Sequence, residues 1–152
     1  MTSVALNSID DTRAVAQRLA DALRAGDTVL LGGDLGTGKT TFAQALIAEL
    51  SEQPVEVTSP TFTLVQDYPV RLRDGVQASI FHYDLYRIEQ ASALAELGLD
   101  DAESQVRVIE WPERLPRNFV PQSWISLRFT LENGVRMVTM QAGGDAKQRW
   151  SA

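Results

Sequence analysis

A chain of 152 residues with 14 Lys and Arg against 20 Asp and Glu, a net charge of −6, has room for one domain of about 150 residues and one core. Hydrophobic residues at 44% and charged residues at 22% exclude a disordered chain or a collagen-like repeat, and the absence of cysteine excludes a disulfide framework, a thiolate metal site and a cysteine nucleophile. The acidic balance argues against unaided gripping of a nucleic-acid backbone, because phosphate contacts rest on clustered Lys and Arg.

The first seven residues lack a basic stretch followed by an apolar run, and no later stretch approaches the ~18 apolar residues of a membrane span. The expectation is a soluble, cytoplasmic protein with no membrane partner. Ser8 and Asp11 have the spacing of a capping box, and Ala16, Leu19, Ala20 and Leu23 recur at helical intervals up to Gly26, which predicts an amphipathic helix of about four turns. Thr28 to Leu31 reads as a buried strand running into Gly32-Gly33. Phe42, Leu46 and Leu50 then fall on one face of a second helix. Residues 61–68 and 79–86 read as two strands, paired antiparallel with an exposed tip from Arg71 to Gln77. A short helix over 89–97, stopped by Gly98, precedes an apolar strand, Val106 to Ile109, that ends at Glu110 and Trp111. Residues 124–131 and 135–141 flank Asn133-Gly134 and predict a terminal hairpin. Nothing suggests a second domain, so residues 1–152 are read as one, with a tail from Gly143 to Ala152 expected to fray.

The segment Gly33-Asp34-Leu35-Gly36-Thr37-Gly38-Lys39-Thr40 has the pattern G-x-x-x-x-G-K-[ST] between a strand and a helix. Such a loop turns successive backbone N–H groups toward an anion, and the helix N-terminus adds partial positive charge. Lys39 would then serve the β- and γ-phosphates, and the Thr40 hydroxyl would ligate Mg²⁺. Only Lys39 and Lys147 among the basic residues are lysines. A metal-side carboxylate is expected at the end of a neighbouring strand, where Glu110 and Asp84 are both candidates. Thr58-Ser59-Pro60-Thr61 lies where a γ-phosphate sensor could sit. His82 is the only histidine and reads as a strand residue with a structural hydrogen bond. The fold expected is α/β, a P-loop NTPase-type three-layer arrangement with a mixed parallel and antiparallel sheet flanked by helices. The guanine-reading pattern N-K-x-D does not occur, which favours ATP over GTP. A small-molecule P-loop kinase and a nucleotide-dependent docking switch with negligible turnover are the rival readings.

Together with the glycine loop and Thr41-Phe42, the segments Ser59-Pro60-Thr61-Phe62, His82-Tyr83-Asp84-Leu85-Tyr86-Arg87, Glu96-Leu97-Gly98 and Val108-Ile109-Glu110-Trp111-Pro112-Glu113 resemble TsaE, the bacterial ATPase family of tRNA threonylcarbamoyladenosine biosynthesis. The resemblance runs from about Ser8 to Glu113. It implies a slow Mg²⁺-dependent ATPase, stimulated by TsaD and TsaB, that supports modification of the adenosine next to the anticodon in tRNAs reading codons beginning with A and meets tRNA only through those partners. By the same resemblance Gly33 to Thr41 and Trp111 contact ATP, and Thr40 and Glu110 ligate Mg²⁺. Lys39 holds phosphate, Asp84 is catalytic or positions water, and Thr61 senses the γ-phosphate. A residue near Ser8 to Thr12 would touch the adenine.

Overall fold

In the computed structural model residues 2–57, 64–88 and 93–150 are described. The elements follow in the order β1 (Thr2–Ala5), α1 (Ile9–Ala22), β2 (Thr28–Gly33), α2 (Lys39–Leu50), β3 (Val65–Arg71), β4 (Gln77–Asp84), α3 (Ala93–Glu96), β5 (Val106–Glu110), β6 (Ser123–Glu132) and β7 (Val135–Gly144), with 3₁₀ turns at Pro112–Arg114 and Asp145–Gln148. The described strands form a seven-stranded sheet in the order β1-β7-β6-β2-β5-β4-β3. Its centre, β6-β2-β5-β4, is parallel, and β3 and the β7-β1 pair run antiparallel at the two edges. This is the mixed α/β sheet expected from the sequence. Among the described residues no helix is long and apolar enough to cross a membrane.

Alternation along the strands sorts side chains to two faces. Val29 and Leu31 of β2, Val106 and Val108 of β5 and Ile125, Leu127 and Phe129 of β6 join α1 and α2 in the larger core cluster. Leu30, Tyr83 and Ile109 face the other way, into a smaller cluster with Leu94, Leu99 and Phe119. The two long helices therefore cover one face, while the other is roofed by the one-turn α3 and the irregular chain around it. Helix α1 starts as its cap predicts, with Ser8 Oγ accepting from the Asp11 N–H at 3.2 Å, although the Asp11 carboxylate returns its bond to the N–H of Asn7, at 2.8 Å.

Several boundaries differ from the sequence reading, each for a local reason. The strand predicted over 61–68 begins, among the described residues, at Val65 after Leu64 with φ 66°, and it runs on to Arg71. Pairs Tyr68↔Ile80 and Val70↔Ala78 bury Tyr68 and Val70, and Pro69 is tolerated because β3 is an edge strand. Residues 61–63 lie outside the described part. Strand β4 stops at Asp84 rather than Tyr86, because the Asp84 carboxylate accepts from the Tyr86 N–H at 3.0 Å and turns the chain. The hairpin tip is not wholly exposed, since Leu72 is buried in the larger cluster. Of the helix predicted over 89–97, residues 89–92 lie outside the described part, and Ala93–Glu96 form one turn before Gly98 at φ 73°.

The tail does not fray up to Trp150. Ala146 and Trp150 pack into the larger cluster, and Arg149 binds Asp27 at 2.7 and 2.9 Å. Strand β1 has no counterpart in the sequence reading. The terminal hairpin turns at Asn133 and Gly134, both with positive φ, 53° and 79°, as a two-residue Asn-Gly turn requires.

Burial of Tyr83 gives a measurable pH effect. The side chain is fully buried and its hydroxyl lies 3.5 Å from the Leu97 carbonyl, so loss of solvation pushes the phenol from 10.0 up to about 12, with Arg107 opposing and Asp101 and Asp100 reinforcing the shift. Below pH 10 the folded and unfolded chains both keep this proton. Between pH 10 and about 12 the unfolded chain releases it first, so folding stability should fall by roughly 2–3 kcal/mol over that window. Urea unfolding midpoints followed from pH 9 to 12 should therefore drop more steeply for the unsubstituted protein than for Tyr83→Phe; parallel slopes would refute the assignment.

Candidate functional site

The C-terminal ends of β2, β5 and β4 lie side by side, and each carries a group singled out from the sequence. Gly33 ends β2, Glu110 ends β5 and Asp84 ends β4, with Asp84 and Glu110 in direct register. Beyond Gly33 the chain loops through residues 34–38 and enters α2 at Lys39. Gly33, with φ 134°, passes so close to β6 that a Cβ there would stand 2.4 Å from the Phe129 carbonyl oxygen and 2.9 Å from Thr37 Oγ1. Only glycine lets the loop leave the sheet along this path. Gly36 and Gly38 also have positive φ, and Thr37 Oγ1 donates to the Asp34 carbonyl at 2.6 Å, closing the loop on itself.

Loop and strand ends enclose a cavity of about 440 Å³. Of the residues expected at the site, Leu35, Gly36, Gly38, Lys39, Thr40 and Thr41 line it from the loop side, and Asp84, Glu110 and Trp111 from the strand side. Gly33, Asp34 and Thr37 shape the loop instead of lining the cavity. Thr61 lies outside the described residues.

The polar groups converge closely. Thr40 Oγ1 donates to Glu110 Oε1 at 2.8 Å, and the other oxygen, Oε2, lies 2.6 Å from Nε2 of the fully buried His82. His82 therefore has the structural hydrogen bond expected of it, with Glu110 as its partner. Glu110 is only 2% exposed, so both its oxygens need the partners they have. The two hard-oxygen groups, Thr40 and Glu110, suit Mg²⁺, which takes few protein ligands and completes its shell with substrate phosphates and water. No cluster of three or more His, Asp or Glu among the described residues offers an all-protein cage.

Lys39 is 5% exposed, donates to the Gly33 carbonyl and stands 3.2 Å from the centroid of the Trp111 ring. Burial pushes its ammonium below the ordinary lysine value, while Glu110, Glu113, Asp84 and Asp34 pull it back up. Trp111 has φ 63°. For a bulky residue that left-handed conformation costs on the order of 1–2 kcal/mol, and here it turns the indole back over the loop. The Tyr86 ring flanks it at 4.9 Å.

The sequence reading missed Arg136, which donates to the Gly36 carbonyl at 3.3 Å and joins Tyr86 and Arg87 in lining the cavity. A signal was available: if β6 runs parallel to β2, the Asn133-Gly134 turn falls at the same end of the sheet as the glycine loop. The register confirms that placement, with Gly33 opposite Phe129.

Residues 6–138 match the profile of the family described as threonylcarbamoyl adenosine biosynthesis protein TsaE. The chain is 38% identical over 117 residues to the tRNA threonylcarbamoyladenosine biosynthesis protein TsaE of Rickettsia conorii, a match covering 76% of this chain and 64% of that protein, less than two thirds of its length. It is 36% identical over 137 residues to the protein of the same name from Nostoc sp., covering 86% and 78% of the two chains. The crystal structure of Bacillus subtilis YdiB superposes with a TM-score of 0.68 at 28% identity, over 97% of this chain and 88% of that one.

Proposed function

Because the chain belongs to the TsaE family of threonylcarbamoyladenosine biosynthesis proteins, we propose that it is the ATP-binding and ATP-hydrolysing subunit of that tRNA modification, acting in the cytoplasm with TsaD and TsaB and meeting tRNA through them. The observation that carries this reading is the pairing of Thr40 with Glu110 at 2.8 Å beside Lys39. A phosphate chain laid on the loop would meet the backbone N–H groups of residues 36–41, the α2 N-terminus and the Lys39 ammonium. Thr40 and Glu110 would hold Mg²⁺, which neutralises charge building on the β- and γ-phosphate oxygens.

Asp84 has the role of orienting the attacking water and accepting its proton. One of its oxygens already takes the Tyr86 N–H, which fixes the plane of the carboxylate. Trp111 borders the nucleotide, Arg136 adds a cation on the β6 side of the loop, and Thr61 is the γ-phosphate sensor. The protein's net charge of −6 does not oppose nucleotide binding, because the anion is held by local groups. It does favour a partner as the tRNA-gripping component.

Phosphate release from purified protein tests the reading. Slow hydrolysis should require Mg²⁺ and rise when TsaD and TsaB are added. Glu110→Ala should remove the Mg²⁺-dependent part. Asp84→Ala should keep ATP affinity and lose on the order of 100-fold in turnover. Normal hydrolysis without Glu110 would displace it as the metal ligand, and lost ATP affinity in Asp84→Ala would make Asp84 a ligand or a structural group.

A further inference from the structure

We propose that His82 is a positioning residue for Glu110, holding one carboxylate oxygen so that the other faces Thr40 and the cation the two would share. The inference rests on the reading of Thr40 and Glu110 as divalent-cation ligands and extends it to a residue with no part in the reading so far. On neighbouring parallel strands, His82 is registered with Val108 and Asp84 with Glu110. His82 and Glu110 thus point to the same face of the sheet, and the ring reaches the carboxylate from behind.

A glutamate carboxylate turns freely about its last torsion, which has only a broad two-fold preference. The 2.6 Å contact from His82 Nε2 to Oε2 removes that freedom, and Oε1 is then the oxygen facing Thr40 Oγ1. The buried Nδ1 of His82 has no hydrogen-bond partner among the described residues. That selects the tautomer. With the hydrogen on Nε2 the ring donates to the acceptor-only carboxylate and Nδ1 buries only a lone pair. With the hydrogen on Nδ1 the ring would bury an unsatisfied N–H and set two acceptors against each other. A ring with one engaged nitrogen, spent on the outer oxygen of a candidate ligand, has the arrangement of the outer-shell groups that orient metal-binding side chains.

Mn²⁺ serves as the probe, with free Mn²⁺ measured by electron paramagnetic resonance as it is titrated into full-length protein saturated with ADP. ADP affinity is measured separately by calorimetry in EDTA. Gln can bring its side-chain nitrogen to the position of Nε2, whereas Asn reaches only that of Nδ1. His82→Gln should therefore stay near the unsubstituted Mn²⁺ affinity, and His82→Asn should lose about 10- to 100-fold, with ADP affinity in EDTA unchanged for both. Equal Mn²⁺ affinity in the two variants, or a matching loss of metal-free ADP binding in His82→Asn, would overturn the positioning role. Glu110→Gln separates this failure from that of the underlying reading. If it keeps full Mn²⁺ affinity, Glu110 is not a ligand; if it loses affinity while His82→Asn does not, only the role of His82 falls.

Discussion

Lys39→Ala is expected to weaken ATP binding by at least ~100-fold while leaving the fold intact. Charge-assisted hydrogen bonds contribute about 1.5–3 kcal/mol each, and the lysine of such a loop serves two phosphates. The fold should tolerate the change because the ammonium is a buried cation whose nearest partners are a carbonyl and an aromatic face, the Gly33 oxygen and Trp111. Removing it leaves no partner charge stranded in an apolar setting. Lys39→Met keeps the aliphatic stem against the indole and should bind as poorly as the alanine variant, which separates charge from packing. The lowered lysine pKa adds a pH signature with a definite sign. The nucleotide-free protein loses this proton at a pH below the ordinary 10.5, so ATP affinity should begin to decline on the alkaline side earlier than an unperturbed lysine would allow. Calorimetric titration with ATP measures all of these, and retained affinity in Lys39→Met would remove Lys39 from the site.

Asp27→Ala should cost about 3 kcal/mol of folding stability, lowering Tm by roughly 6–12 °C for a chain of this size. Asp27 is 1% exposed and accepts four bonds: from the Arg24 backbone N–H at 2.8 Å, Ser123 Oγ at 2.5 Å, and two Arg149 nitrogens at 2.7 and 2.9 Å. Truncation strands the hydroxyl and much of the guanidinium without an acceptor. The estimate sits at the low end because the Arg149 side chain is 27% exposed and water relieves part of the loss. Combining Asp27→Ala with Arg149→Ala should cost less than the two single changes summed, because the pair is then removed together. Differential scanning calorimetry decides the matter, and a Tm within about 2 °C of the unsubstituted protein would mean the pair does not hold the tail.

The central strand, loop and helix were legible in the sequence because their signals are local: apolar runs, glycine spacing, and Phe42, Leu46 and Leu50 on one helix face. Glu110 and Asp84 were legible as alternatives because a carboxylate ending an apolar strand beside such a loop has few other uses. Strand β1 was not legible. Thr2–Ala5 is four residues without a clear alternation, and it exists through pairing with β7, where Ser3 Oγ meets Thr139 Oγ1 at 3.0 Å across 136 positions of sequence. The same distance problem hid the Arg149–Asp27 pair, 122 positions apart, and made the tail look free. His82 was seen as a structural hydrogen-bonder, but its partner could not be named before β4 and β5 were placed side by side. Arg136 was overlooked because a single arginine in a hairpin carries no pattern of its own.

The strand that launches the glycine loop lies between two neighbours that both come much later in the chain: β5 at residues 106–110 and β6 at residues 123–132. The loop's first glycine is seated against a carbonyl of the second of these, that of Phe129. During synthesis the glycine loop therefore emerges well before its walls, which are complete only when residue 132 has cleared the ribosome. Such sequence separation slows folding, because loop-closure entropy is spent before any long-range contact forms. A nascent chain carrying the whole G-x-x-x-x-G-K-T motif should thus lack a formed glycine loop until β6 is out, and the loop takes its shape only after both of its later neighbours have paired with β2.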